Sequence, residues 1–312
     1  FAYAKALAEE YKEEIAVNCT WLKLNELLSN FKRILCGEKT EHNQYRLLNF
    51  ECNKEIKRLS LFASLYHAIK LELFLIFHIV LKKCKHLHGA DEYKRMNAKG
   101  YFATYDFYSY IEHGICNKKN KYVYGAFQTN KYFKNVDPET IKQLLTVSVK
   151  PSIENQKMLD HISSTNSVCV HIRRGDYINN DFYNYLNICN AQYYSDAIDY
   201  MESHLDNPTY FVFSNDESEL KWIKENYTFL RPNTIFVNLN NCDYEELRLM
   251  YNCRHFIISN STFSWWASYL GKEKNKIVVA PSIWHNIKDY TSGVDIYTDD
   301  MIKIHVDVED NK

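Results

Sequence analysis

Residues 167–176 have the sequence SVCVHIRRGD, in which an apolar run leads directly into two arginines, a glycine and an aspartate. A near-continuous apolar run is typical of a strand that is covered on both faces of a parallel sheet. Similar runs occur four more times in the second half of the chain, at residues 209–213, 234–239, 255–259 and 276–280. Segments with helical periodicity separate them, at residues 191–204, 217–225, 244–252 and 263–270. This alternation predicts βαβ units, a parallel sheet and therefore an α/β fold.

The first half of the chain has a different pattern, with more helix and fewer strands. Helical periodicity covers residues 2–14, 21–35 and 56–83, and a strand is predicted at 122–127. Asp137 followed by Pro138 predicts the start of another helix, with the aspartate as its cap. We expect two domains, at residues 1–150 and 151–312, with the boundary near Pro151.

Composition excludes several classes of protein. The chain has 312 residues, 46% of them hydrophobic, and its 38 basic and 39 acidic residues leave a net charge of -1. These values are typical of a globular protein, and the balanced charge provides no electrostatic drive toward nucleic acid. Nine cysteines without a C-x-x-C pair indicate neither a zinc ribbon nor a disulfide framework, and reduced thiols favour a cytoplasmic location.

The most apolar stretch, at residues 59–81, is interrupted by Lys70 and Glu72. The uninterrupted pieces are far shorter than the ~20 residues that a transmembrane helix needs. A buried or amphipathic helix is therefore predicted, with peripheral contact to a membrane as the alternative. No transmembrane segment is expected in this chain.

Glycine is scarce, which limits how the protein could bind a nucleotide. The eight glycines are all more than ten residues apart. This spacing excludes both the G-x-G-x-x-G dinucleotide loop and the G-x-x-x-x-G-K-[ST] phosphate loop. Any nucleotide site must therefore be built without a glycine cradle.

Polar clusters follow three of the predicted strands. They lie at residues 171–176, 214–217 and 260–264. Because ligands of an open parallel sheet bind outside the carboxyl ends of its strands, we expect the three clusters to converge. Arg173 and Arg174 suit phosphate oxygens, and residues 260–264 open a helix whose N-terminus attracts anions. The alternatives are a surface ion-pair network for the arginines and plain helix capping for the serines.

Three further candidates have competing interpretations. Glu245 and Glu246 begin a predicted helix, where a carboxylate favours the helix dipole or, alternatively, accepts hydrogen bonds from a purine. Asp176 follows the arginines and either orients them or acts as a base. Trp265 and Trp266 are predicted to pack the helix against the sheet.

These blocks resemble the α-1,2-fucosyltransferases of glycosyltransferase family 11. Residues 171–177, HIRRGDY, are similar to the family's H-x-R-R-x-D signature. Residues 210–216, YFVFSND, resemble its second block, which more often has paired aspartates, and residues 246–266 resemble its third block. Residues 125–133, GAFQTNKYF, and 281–284, PSIW, match two further segments, so the resemblance covers nearly the whole chain.

The resemblance implies a GT-B-type fold, with two Rossmann-like domains facing across a cleft and a helix-rich, incomplete first domain. Residues 1–150 would be the acceptor-side domain and residues 151–312 the GDP-fucose-binding domain. The implied reaction is inverting transfer of fucose from the co-substrate GDP-β-L-fucose to the 2-hydroxyl of a terminal β-galactose. The acceptor would be an oligosaccharide or a glycolipid, and no metal or other cofactor would be required.

The resemblance also assigns roles to residues. Arg173 chiefly, with Arg174, would bind the diphosphate, and Asp176 is the candidate base. The other implied donor ligands are Ser261, Thr262 and Ser264 for the diphosphate, Glu246 for guanine, and His171, Asn215 and Asn260 elsewhere in the nucleotide site.

One departure concerns the start of the chain. Family members usually open with a strand and a G-G-L-G-N-Q-[ML]-F-Q-Y turn, and residues 1–4 are similar to the tail of that element. The sequence is therefore expected to be truncated at its N-terminus. The alternatives are a non-catalytic nucleotide- or glycan-binding homologue, and a fucosyltransferase with a different acceptor or linkage. The family further suggests a bacterial enzyme that acts at the inner face of the membrane.

Overall fold

The chain divides into two compact units, residues 1–145 and 146–312, where the sequence analysis places a boundary near residue 150. The computed structural model describes residues 1–20, 45–77, 89–104, 109–179, 185–286 and 294–306. The helix predicted at residues 21–35 lies outside the described residues. Both units combine helices with parallel strands, so the predicted α/β class is confirmed.

The described part of the first unit contains helices and two short pairs of parallel strands. Its helices are α1 (Ala2–Tyr11), α2 (Leu61–Ile76), α3 (Ala90–Ala98) and α4 (Pro138–Leu144). Its strands are β1 (Ala16–Val17), β2 (Lys57–Arg58), β3 (Tyr101–Ala103) and β4 (Tyr122–Tyr124). Strand β1 pairs with β2, and β3 pairs with β4. Short 3-10 helices occupy Arg46–Asn49, Glu51–Lys54 and Asn130–Phe133.

Side-chain caps determine where two of these helices begin. The Asp137 carboxylate accepts a hydrogen bond from the Thr140 amide at 3.0 Å, and Pro138 is the first residue of α4, as predicted. The Ser60 hydroxyl accepts from the Ala63 amide at 3.3 Å, which starts α2 five residues later than its apolar pattern. A cap supplies a partner for one of the amides that the first turn leaves unpaired.

Helix α2 is apolar on two opposite faces. One face packs on the core of the first unit, where Leu75 contacts a cluster that includes Tyr93 and Met96. Large apolar side chains are exposed along the rest of the helix and at its end: Leu61, Phe62, Leu65, Tyr66, Ile69, Leu73, Ile76 and Phe77. No helix in the described part of the chain is long and apolar enough to cross a membrane.

The second unit is built on a six-stranded parallel sheet. Its strands are β5 (Asn166–His171), β6 (Pro208–Phe213), β7 (Thr234–Phe236), β8 (His255–Ile257), β9 (Val278–Pro281) and β10 (Met301–Ile304). Its helices are α5 (Ile153–Ser164), α6 (Gly175–Asn179), α7 (Ala191–His204), α8 (Glu217–Asn226), α9 (Asp243–Tyr251) and α10 (Thr262–Leu270). Every predicted strand and helix of this half is confirmed, whereas α5, α6 and β10 were not predicted.

The strand order is β10-β9-β8-β5-β6-β7, so the chain changes direction across the sheet at β5. From β5 the chain first builds outward through β6 and β7, and it then crosses to the other side of β5 to add β8, β9 and β10. Open α/β sheets bind ligands outside the carboxyl ends of the strands at such a switch point. A ligand of this sheet is therefore expected at the carboxyl ends of β5 and β8.

The central strands are buried on both faces, as their sequences predict. Val168, Val170 and Ile257 are fully buried in one hydrophobic cluster with residues of α7. Tyr193 of α7 also donates a hydrogen bond from its hydroxyl to the Ile258 carbonyl at 2.5 Å. Helix α7 is thus attached to the sheet by both apolar packing and a buried polar contact.

Two isoleucines on helices allow a matched test of this core. Ile198 on α7 is 0% exposed and Ile153 on α5 is 72% exposed. We expect Ile198→Ala to lower the free energy of unfolding by about 2–5 kcal/mol, because it removes buried methyl groups and leaves a cavity. Ile153→Ala should change it by less than about 0.5 kcal/mol. Urea unfolding of both variants measures the difference, and equal losses would contradict the packing described here.

Candidate active site

A buried contact joins the ends of the two strands at the switch point. His171 is the last residue of β5, and its Nδ1 lies 2.9 Å from the hydroxyl oxygen of Ser259, which follows β8. Burial, together with the nearby charge of Arg173, lowers the pKa of His171 to about 3. The ring is therefore neutral at physiological pH, and its role in this edge of the sheet is that of a hydrogen-bonding group.

Arg173 lies directly beyond this contact. Its guanidinium carbon is 5.6 Å from the centre of the Tyr177 ring, within the range of a cation–π interaction. Its charge adds to the effect of burial in lowering the pKa of His171, and it opposes the larger effect of burial, which raises the pKa of Glu246. Arg173 is thus the cation shared by the end of β5 and the start of α9.

Arg174 is held by a separate set of side chains. Its Nε donates to the Glu219 carboxylate at 3.0 Å, and its guanidinium carbon lies 3.2 Å from the centre of the Trp222 ring. Both partners belong to α8. The ion-pair alternative considered for the arginines therefore describes Arg174, whereas Arg173 has a different environment.

The second polar cluster adjoins the arginine turn. The Ser214 hydroxyl donates to the Ile172 carbonyl at 2.8 Å, and the Asn215 side chain lies against Gly175. A Cβ at Gly175 would be only 2.8 Å from the Asn215 Nδ2 atom, so a larger residue here would displace the Asn215 side chain. Asn215 is exposed at this edge of the sheet.

Asp176 belongs to the short helix α6, but its side chain lies outside the described residues. Its assignment as the base stays a prediction.

The third cluster is bonded extensively within the protein. Asn260 is buried, and its Nδ2 donates to the carbonyls of Leu186 at 2.8 Å and Trp284 at 2.9 Å. Ser264 is fully buried, and its hydroxyl donates to the Ser261 carbonyl at 3.1 Å. These contacts give Asn260 and Ser264 structural roles, and donor binding by their side chains stays a prediction.

The start of α10 has a more open position. The Ser261 hydroxyl accepts a hydrogen bond from the Phe263 amide at 3.3 Å and so caps the helix. Thr262, the first residue of α10, is partly exposed. The N-terminal turn therefore brings a hydroxyl and the positive end of the helix dipole to the carboxyl end of β8.

The two adjacent glutamates of α9 point to different partners. Glu245 is buried and accepts a hydrogen bond from Arg248 at 3.1 Å, and Arg248 also donates to the Val149 carbonyl at 2.6 Å. Glu246 is partly buried, and burial raises its pKa to about 7, against the opposing effect of Arg173. Glu246 is therefore the member of the pair that shares the surroundings of Arg173.

Several site residues were not assigned by the sequence analysis. Ser259, Glu219 and Trp222 contact predicted residues across 88, 45 and 48 positions of the chain, and no local pattern marks them. Tyr177 is the last residue of the 171–177 segment, and no role was predicted for it. Across the described residues, no three His, Cys, Asp or Glu side chains are grouped closely enough to hold a metal ion.

Comparison with known proteins identifies the family. The family model described as glycosyl transferase family 11 matches residues 30–304. The O-antigen biosynthesis glycosyltransferase WbnK of Escherichia coli is 31% identical over 265 residues, which cover 80% of this chain and 81% of WbnK.

Two further relatives share shorter regions. An alpha-1,2-colitosyltransferase of Escherichia coli is 33% identical over 171 residues, covering 54% of this chain and 57% of the relative. A galactoside 2-alpha-L-fucosyltransferase of Caenorhabditis elegans is 28% identical over 191 residues, covering 59% of this chain and 48% of the relative. Because the family model spans most of the sequence, this chain belongs to glycosyltransferase family 11 and is a glycosyltransferase.

Proposed function

We propose that the enzyme transfers L-fucose from GDP-β-L-fucose to the 2-hydroxyl of a terminal β-galactose, with inversion and without a metal ion. The observation that carries this proposal is the position of Arg173, beyond the end of β5 and close enough to Glu246 to alter its pKa. The named activity of the nematode relative, a galactoside 2-alpha-L-fucosyltransferase, supports the choice of sugar, acceptor and linkage.

The diphosphate of the donor requires positive charge at the moment of transfer. When the bond between the anomeric carbon and the β-phosphate oxygen breaks, negative charge develops on the departing GDP. A fixed guanidinium and the amides of a helix N-terminus stabilise such charge without reorganising. In our proposal Arg173 and the first turn of α10, with Thr262, perform this role.

Arg174 has a different part in the proposal. Its hydrogen bond to Glu219 offsets its charge, and its stacking on Trp222 fixes its position. Arg174 therefore contributes to the shape of the turn that presents Arg173, with a smaller direct effect on the diphosphate.

Guanine recognition falls to Glu246 in this proposal. A carboxylate can accept hydrogen bonds from both N–H groups of the guanine edge only when it is ionised. In the free protein the pKa of Glu246 is about 7, so a sizeable fraction is protonated near neutral pH.

The acceptor 2-hydroxyl attacks the opposite face of the anomeric carbon, and Asp176 is the proposed group that receives its proton.

A second donor deserves a direct comparison because the colitosyltransferase of Escherichia coli is 33% identical to the matched region. Colitose differs from fucose by lacking the 3-hydroxyl. GDP-colitose would use the same diphosphate and guanine contacts, so only the sugar pocket would distinguish the two donors.

A transfer assay tests the proposal as a whole. With lactose as acceptor and EDTA present, we expect transfer from GDP-fucose and a Fuc-α1,2-Gal linkage in the NMR spectrum of the product. Faster transfer from GDP-colitose would show that colitose is the preferred donor sugar. A linkage other than Fuc-α1,2-Gal would overturn the acceptor assignment. GDP binding by calorimetry without transfer would instead indicate a non-catalytic binding protein, and activity restored only by added divalent metal would contradict metal independence.

The two neighbouring arginines provide a matched pair of variants. We expect Arg173→Ala to lower kcat/KM for GDP-fucose by about 10²–10³-fold, because it removes a charge that stabilises the leaving group. Arg174→Ala should lower it by about tenfold or less, since it loses mainly a half-buried ion pair and a stacking contact. Steady-state kinetics of both variants measures the difference, and a larger loss for Arg174→Ala would reverse the assignment.

The raised pKa of Glu246 predicts a pH dependence of donor binding. If only the ionised carboxylate binds guanine, the affinity for GDP-fucose should rise about tenfold between pH 6 and pH 8, as Glu246 loses its proton near pH 7. GDP-fucose is a suitable probe because its diphosphate does not titrate in this range. Calorimetry should find this slope in Glu217→Gln, a control on the exposed start of α8, and its absence in Glu246→Gln. A pH slope that survives in Glu246→Gln would refute the role of this residue.

A further inference from the structure

Tyr177 contacts both Arg173 and the turn that precedes α10, and it does so through different atoms. Its ring lies under the Arg173 guanidinium, with 5.6 Å between the ring centre and the guanidinium carbon. Its hydroxyl donates to the backbone carbonyl of Asn260 at 3.3 Å. Asn260 immediately precedes the cap of α10. One side chain therefore connects the arginine beyond β5 with the turn beyond β8.

Both ends of this connection are anchored. The Tyr177 amide donates to the Arg174 carbonyl at 2.8 Å, which ties the tyrosine to the arginine turn. At the other end, the Asn260 carboxamide holds the carbonyls of Leu186 and Trp284. Because both ends are hydrogen-bonded to other parts of the protein, we expect a change at Tyr177 to alter the position of the Arg173 guanidinium.

The arginine side chain is the part that needs this support. A free arginine samples many rotamers, and holding its guanidinium in one place before the ligand arrives improves both affinity and transition-state stabilisation. Arg174 is held by Glu219 and Trp222. For Arg173, the ring of Tyr177 lies within cation–π range at 5.6 Å, a longer contact than the 3.2 Å between Arg174 and Trp222.

We propose that Tyr177 is a positioning residue that keeps the Arg173 guanidinium and the Asn260–Ser261 turn aligned for the diphosphate of the donor. Tyr177 acts through Arg173 and the turn, and contact with the substrate is not part of its role. This inference rests on the proposed function in one respect, namely that Arg173 binds the diphosphate.

A double-mutant cycle on GDP affinity tests the inference without requiring transfer. Calorimetry compares the wild type, Tyr177→Leu, Arg173→Gln and the double variant. We expect Tyr177→Leu to weaken GDP binding about tenfold in the wild-type background, the size of a partly desolvated cation–π contact. In the Arg173→Gln background the same change should have an effect of less than about twofold, because there is no guanidinium left to position.

Two further variants separate positioning from general stability. Tyr177→Phe keeps the ring and should restore affinity to within about threefold of the wild type. Tyr200→Leu, which removes another partly exposed tyrosine from α7, should leave GDP affinity unchanged. Tyr177→Met serves the same comparison if the leucine variant does not fold.

The outcomes distinguish this inference from the proposed function. If Arg173→Gln loses GDP affinity but Tyr177→Leu weakens binding equally in both backgrounds, the positioning role alone is wrong. An unchanged affinity in Tyr177→Leu would also overturn it. If Arg173→Gln itself leaves GDP affinity unchanged, the diphosphate assignment fails and the positioning role fails with it.

Discussion

The contact between His171 and Ser259 holds together the ends of β5 and β8, and the arrangement of the site depends on it. These strands are neighbours in the sheet although 83 residues separate the end of one from the start of the other. Both side chains are buried, and burial keeps the imidazole neutral. A charged imidazole would add a second cation next to Arg173 in a poorly solvated place, which is energetically unfavourable. Because the ring is neutral, no second positive charge lies beside the Arg173 guanidinium at the end of β5.

The second unit could be predicted well because its physical constraints are local. Strands buried on both faces must be apolar throughout, and β5 and β6 display that requirement in a few consecutive residues. Strand β10 escaped prediction because it lies at the edge of the sheet, where Ile302 and Lys303 are exposed and the apolar run is lost. In the first unit, β4 was predicted within residues 122–127, whereas β1, β2 and β3 have two or three residues each and show no recognisable period.

The sequence predicted which positions form the site, whereas the different roles of neighbouring residues could be assigned only from their contacts in the fold. Arg173 and Arg174 are the same residue type at adjacent positions, and the fold gives Arg174 its own partners, Glu219 and Trp222. Glu245 and Glu246 differ for the same reason, since Arg248 takes the first. In the 260–264 cluster, the sequence indicates polar atoms but cannot reveal that Asn260 and Ser264 already use theirs within the protein. Local sequence therefore cannot assign different roles to adjacent residues of the same type.

Helix α2 has a practical consequence for anyone who handles this protein. Phe62 is 85% exposed and Leu73 is 63% exposed, and six further large apolar side chains are exposed along the helix and at its end. A surface of this kind favours association between molecules in dilute buffer as concentration rises. Mild detergent and a low protein concentration should therefore limit association more effectively than a change in ionic strength, because the burial of apolar surface is driven by the release of water.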